Sequence, residues 1–162
     1  MDEDVYQSIE KEAEKNGFTT SNLMSKIVKN YVTRDKFFEQ LEFIPIGKDI
    51  IKIWLSRIEE EFLREDAKIL GSTIARDYIS YFFHDINIST LIKFLNIWLE
   101  TLGNVQKKEH HNTCSFVINH CVNFQYSIYL QEFLTALIEP ITKKRINFIE
   151  ITPNLLSFSF DS

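Results

Sequence analysis

Four histidines and two cysteines are the residues of this chain best suited to metal or nucleophile chemistry. Five of the six crowd into one stretch: His110, His111, Cys114, His120 and Cys121. Imidazole and thiolate are natural zinc ligands, but a structural site needs four of them at suitable intervals. The intervals here are not those of paired zinc knuckles. The stretch also alternates like a strand, which puts His120 and Cys121 on opposite faces, where one ion could not use both. Ordinary strand residues near a hairpin are the better reading, so neither a metal nor any other cofactor is expected. Cys114 could be activated by His110 or His111 as a nucleophile, yet nothing in the pattern orients them. The chain has no Gly-x-Ser-x-Gly, no Gly-rich phosphate loop and no His-Glu-x-x-His. Asp77 and Glu59 to Glu61 read as helix-surface charges. No enzymatic activity is expected.

The elements that must position these residues form the last third of the chain. Residues 105–110 and 114–121 read as a hairpin around His111-Asn112-Thr113, with Phe116 and Ile118 sharing a face with Cys114 and His120. That places both cysteines on one strand, about 23 Å apart at roughly 3.3 Å per residue and beyond disulfide reach. A helix over 124–139 follows, expected to end at Pro140. Two further strands, 146–152 and 155–160, flank the turn tripeptide Thr152-Pro153-Asn154. The predicted order is ββαββ, an antiparallel sheet with one covering helix. Its many aromatic residues, among them Trp98, Tyr126 and Phe133, read as core or interface before they read as a ligand pocket.

Upstream, the period is that of helices. Ile50, Ile51, Trp54, Leu55 and Ile58 mark a helix over 48–58. Phe62 to Phe83 marks one or two more, with Gly71 as a break. Ser89 is expected to cap a helix that Gly103 ends. Nearer the N-terminus, Val5, Tyr6, Ile9 and Ala13 recur on one helix face over 3–16. Gly17 closes that helix, Thr19 or Thr20 caps the next, and Leu23, Ile27, Val28 and Tyr31 resume the stripe. This second helix is expected to run to residue 43, through Phe37, Phe38 and Leu41, until Phe43-Ile44-Pro45 breaks it. The fold class is therefore α+β, in two parts: an N-terminal helical module, 1–44, and a C-terminal helical plus ββαββ domain, 45–162.

Composition bounds the rest. The chain has 162 residues, 44% of them apolar and 14% aromatic, which is ample for a packed core. A formal charge of −5 weighs against nucleic-acid binding by the whole surface. It leaves room for a local basic face: residues 18–36 hold Lys26, Lys29, Arg34 and Lys36 against Asp35, four basic to one acidic. The opening Met1-Asp2-Glu3-Asp4 lacks the basic-then-apolar form of a signal peptide, and no apolar run would span a bilayer. A cytoplasmic location is expected, with no membrane partner.

The stretch VYQSIEKEAEKNGFTTSNLMSKIVKNYV, Val5 to Val32, resembles the ribbon-helix-helix DNA-binding regulators of the Arc and MetJ class. In that family an amphipathic helix ends at a glycine, an apolar and a hydroxyl residue follow, and a second helix opens Ser-x-Leu. Here these are Gly17, Phe18, Thr19 or Thr20, Ser21 and Leu23. The continuation into Phe43-Ile44-Pro45 is similar to archaeal proteins that attach this module to a longer C-terminal domain. The resemblance implies a dimeric, DNA-associated transcription regulator. Thr19, Thr20, Ser21 and Asn22 would seat a DNA phosphate at a helix N-terminus, assisted by Lys26. The family reads bases with a strand ahead of the first helix. Here Met1 to Asp4 stand in that place, three of the four acidic, so either the strand lies further upstream or this copy has lost base reading and keeps contact with the backbone. The alternatives are a dimerisation or protein-docking module that does not bind DNA, and a small-ligand sensor in the C-terminal domain whose effector the sequence does not specify.

Overall fold

The structure is a computed structural model that describes residues 2–40 and 45–161. It is an α+β fold whose chain divides into two compact units, Met1–Ile44 and Pro45–Ser162. Among the described residues, unit 1 holds α1 (Glu3–Lys15), α2 (Thr20–Asn30), a π-helical segment (Tyr31–Asp35) and α3 (Lys36–Gln40). The second helix is thus not one continuous α-helix. Tyr31, Val32 and Thr33 are aromatic or β-branched and crowd the preceding turn. Thr33 Oγ1 also donates to the Lys29 carbonyl at 2.8 Å, competing with the backbone donor that an α-helix would use there. Residues 41–44, where the apolar pattern continues, lie outside the described residues.

Unit 2 opens with α4 (Lys48–Leu55), α5 (Glu60–Ser72), α6 (Ile74–Phe83) and α7 (Ile88–Leu102). The expected break at Gly71 falls instead at Thr73, whose hydroxyl donates to the Ile69 carbonyl at 2.6 Å. Gly71 stays inside α5 because the helix needs it bare: a Cβ there would lie 2.3 Å from the Phe133 carbonyl oxygen. The expected cap at Ser89 is two residues late. Asn87 caps α7 through a reciprocal box, its side chain accepting from the Thr90 amide at 3.0 Å while Thr90 Oγ1 accepts from the Asn87 amide at 3.0 Å.

The last third is β1 (Asn104–His110), β2 (Thr113–Asn119), α8 (Phe124–Thr142), β3 (Asn147–Ile151) and β4 (Leu155–Asp161). The strands form one antiparallel sheet in the order β1-β2-β4-β3. Alternation sorts its faces. Phe116 pairs with Phe158 and Ile118 with Leu156, all fully buried, while Ser115 pairs with Ser159 and Val117 with Ser157 on the other face. The buried face meets α7 and α8, which contribute Leu91, Leu95, Leu99, Leu130, Leu134 and Ile138 to a single core. Pro140 does not end α8. The helix continues to Thr142, with Leu137, Ile138 and Thr142 all buried. A proline this close to the end removes only one of the last backbone bonds, and burial of the final turn outweighs that loss. Helix α5 lies along α8, joined by ion pairs from Arg64 and Lys68 to Glu132, the latter at 3.6 Å.

The close contact of α5 with α8 is the most sensitive point of this packing. Gly71→Ala must push the two backbones apart, and the expected loss is about 2–4 kcal/mol, read as a shifted midpoint in urea unfolding. Gly47→Ala, where a Cβ meets nothing within 4 Å, gives up only glycine's advantage as the α4 N-cap and should lose less, about 0.5–1 kcal/mol.

Candidate functional site

The corner of unit 1 is built by local rules. Helix α1 ends in a Schellman arrangement: the Phe18 amide donates to the Ala13 carbonyl at 2.9 Å and the Gly17 amide to Glu14 at 3.1 Å. Gly17 supplies the required left-handed backbone at φ 69°. Of the two candidate caps, Thr19 is the one used. Its backbone is extended, and its Oγ1 accepts from the Asn22 amide at 3.2 Å. Its carbonyl takes the Leu23 amide at 3.0 Å. The amides of Thr20 and Ser21 have no acceptor among the described residues, so two free donors and the positive end of the helix dipole face outward.

Lys26 belongs to this corner although it sits about 9 Å further along the helix axis. Side chains lean toward the helix N-terminus, and Nζ of Lys26 rests over the Phe18 ring, 5.5 Å from its centroid. That cation–π contact, about 0.5–1 kcal/mol at an exposed site, holds the charge back toward the free amides. Beside them runs an open groove of about 640 Å³ lined by Tyr6, Thr20, Ser21, Met24, Val28 and Lys29. The five proposed contact residues are therefore together at one corner, but Asn22 has its amide committed to Thr19, and Thr20 is half-buried where Ser21 is exposed.

The same unit is poorly closed. Its single buried hydrophobic residue among those described is Ala13, near the corner. Val28 is 60% exposed, Val32 51% and Ile27 48%. A second open cleft of about 570 Å³ lies between the two helices, lined by Val5, Ile9, Leu23 and Ile27. No strand precedes α1 among the described residues, and Glu3 and Asp4 form its first turn.

The histidine and cysteine stretch is dispersed by the fold. Strand β2 stops at Asn119, so Cys121 is not on it. Its φ of 53° and exposed thiol, 2.9 Å from Asn119 Oδ1, belong to a turn. The strand stops because the His120 and Cys121 amides turn to the Asn154 carbonyl, at 2.9 and 3.1 Å. Cys114 is buried, and its nearest polar partner is Glu109 rather than an imidazole. Burial and that carboxylate both raise its pKa, which disfavours the thiolate. His110 and His111 pair with each other through Nδ1 atoms 2.8 Å apart at the hairpin tip. Among the described residues no group of three or more potential ligands is placed to hold a metal ion.

His120 has a partner that sequence spacing did not reveal. Its Nδ1 accepts from the Val122 amide at 3.2 Å, so Nε2 carries the proton and donates to Ser127 Oγ at 2.9 Å. Ser127 in turn donates to the Thr152 carbonyl at 2.5 Å. Both side chains are fully buried, so this serine–histidine pair is a tie between β2, α8 and the β3–β4 turn. The α8 interior gave no outward sign of it, because a serine in a helix is ordinary. Comparison of the chain with protein-family models, curated proteins and solved structures finds no match.

Burial, and secondarily the nearby Lys48 ammonium, lower the His120 pKa from 6.5 to about 4. The unfolded chain then binds the proton more readily than the folded one between these values, so stability falls as pH drops from about 6.5 toward 4. The loss should reach up to about 3 kcal/mol. His120→Gln keeps a donor for Ser127 but cannot titrate. Urea unfolding across that range should show a flatter pH slope for the variant than for the parent.

Proposed function

We propose that this chain is a DNA-associated transcription regulator that acts as a dimer and touches the DNA backbone through the N-terminus of α2. The observation that carries this reading is the conjunction at the corner: free amides of Thr20 and Ser21, a helix dipole, and Lys26 held back over Phe18. Each is suited to a phosphate, and together they sit in a +3 segment of a chain whose total charge is −5. The module's need for a second copy follows from its open apolar faces. A helix pair that buries little beyond Ala13 is too small to hold itself together. Covering Ile27, Val28 and Val32 with a second copy would contribute on the order of 1 kcal/mol or more for each side chain. The contact at this corner is one of attachment to the duplex backbone. Unit 2 would supply further dimer contacts or sensing.

The rival reading, a dimerising module that docks protein and not DNA, is favoured by the net charge. The two separate on a filter-retention measurement of DNA binding against salt. The reading above expects the parent to retain duplex DNA at low salt. Lys26→Ala should bind about 3- to 10-fold more weakly, with the slope of log affinity against log salt shallower by about 0.9 for each copy's lysine, about 1.8 for the dimer. An unchanged slope would remove Lys26 from the contact. A dimer that never retains DNA at low salt would favour the rival.

A further inference from the structure

Unit 2 carries an apolar face of its own, on α4. Ile51 and Leu55 are half-buried, and two hydrogen bonds fix the helix in place. Lys48 Nζ donates to the His120 carbonyl at 2.9 Å, and Asn123 Nδ2 donates to the Lys52 carbonyl at 3.2 Å. On the other side Ile50, Ile53 and Trp54 are 47, 51 and 55% exposed. At 3.6 residues per turn these three fall within about 100° of arc. Ile46 and Ile58 are exposed just beyond either end. A helix held this firmly has no local reason to keep its largest side chain, a tryptophan, in water.

Two opposite charges bound the stripe. Asp49 and Arg57 each lie four residues from Ile53, and both are exposed. Neither forms an ion pair among the described residues. The chain keeps a helical path to Arg57, whose amide donates to the Trp54 carbonyl at 3.0 Å. Asp49 and Ile53, four residues apart, share a face of α4, and Arg57 follows in the tight turn just past its end, so the stripe has a charge of opposite sign at each end. A two-fold axis through Ile53 lays a second α4 antiparallel and sets Asp49 of each copy opposite Arg57 of the other. The stripe is complementary to itself, as an isologous contact requires.

We propose that the exposed face of α4 is a contact between two copies of this chain, paired antiparallel about Ile53. Five large side chains at about half exposure offer on the order of 400 Å² per copy, roughly half of what one partner contributes to a standard interface. The contact is therefore weak alone. It acts as a second clasp in a dimer that the N-terminal unit already holds, where tethering supplies an effective concentration in roughly the millimolar range. In that respect it rests on the homodimer reading given above, though not on DNA binding.

A charge-exchange cycle on the full chain tests it, with dimer dissociation constants measured by sedimentation for the parent, Asp49→Arg, Arg57→Asp and the double variant. Each single reversal sets like charges together and should weaken the dimer about tenfold. The double variant restores both pairs with signs exchanged and should return to within about threefold of the parent. Ile53→Asp, at the axis, should weaken it more than either reversal. Ile27→Asp, run in parallel, reports on the N-terminal contact alone. Single reversals without effect, or a double variant no better than the singles, overturn the α4 contact whatever Ile27→Asp does. A cycle that closes as expected while Ile27→Asp changes nothing supports α4 pairing and removes the N-terminal dimer. A parent that stays monomeric at every concentration overturns both.

Discussion

The contact on which unit 2 depends is the one α8 makes on its two sides. Toward the sheet it buries Leu130, Leu134, Leu137 and Ile138 against Phe116, Ile118, Leu156 and Phe158. Toward α5 it comes close enough that only a hydrogen fits at Gly71. A helix apolar on most of its circumference has no solvated face to spare, so both neighbours are obligatory. The aromatic rows follow from this placement. Tyr126 stacks on Tyr129, and Tyr129 and Trp98 both lie against Phe133. The same constraint sets the polar tie at its start. A buried histidine costs several kcal/mol unless its nitrogens are satisfied, and Ser127, one turn into α8, is placed to satisfy one while the Val122 amide satisfies the other. Among the described residues, no buried side-chain nitrogen or oxygen is left without a partner.

Unit 1 lives under the opposite constraint. Its corner is specified by strong local devices, a Schellman end and a threonine cap, but little lies beneath them to bury. Local capping contributes about 1 kcal/mol per device and cannot substitute for a core. On the dimer reading proposed above, a second copy would cover these apolar clefts, which makes them and the function parts of one question. Ile27 lies in the cleft between α1 and α2, away from Thr20 and Ser21, whereas Val28 and Val32 line the same groove as those two residues.

Much of this was legible beforehand where a single local rule decides. Gly17 with Phe18 and Thr19 announced the corner, and the alternation of Leu156, Phe158 and Phe160 announced β4 with its buried face. Three of the errors share one cause: a rule that holds for an isolated element was overridden by a neighbour distant in sequence. Gly71 reads as a breaker until Phe133 is seen to need its missing side chain. Pro140 reads as a stop until the final turn of α8 is seen to be buried. Cys121 reads as the end of a strand until Asn154, which lies on a distant turn, is seen to draw its amide and that of His120 away from the ladder.

What the sequence by itself determined is most of the elements, the corner that ends α1 and begins α2, the α+β class and the locally basic character of residues 18–36. Each depends on residues within a turn or two of one another, where dihedral preference and periodicity act directly. What only the tertiary structure decided is which polar groups meet. It paired His120 with Ser127, drew Cys114 to Glu109, folded Lys26 back over Phe18, and left Trp54 in water. Such meetings depend on the direction of side chains in space and on which faces are covered, and neither quantity is written in local spacing.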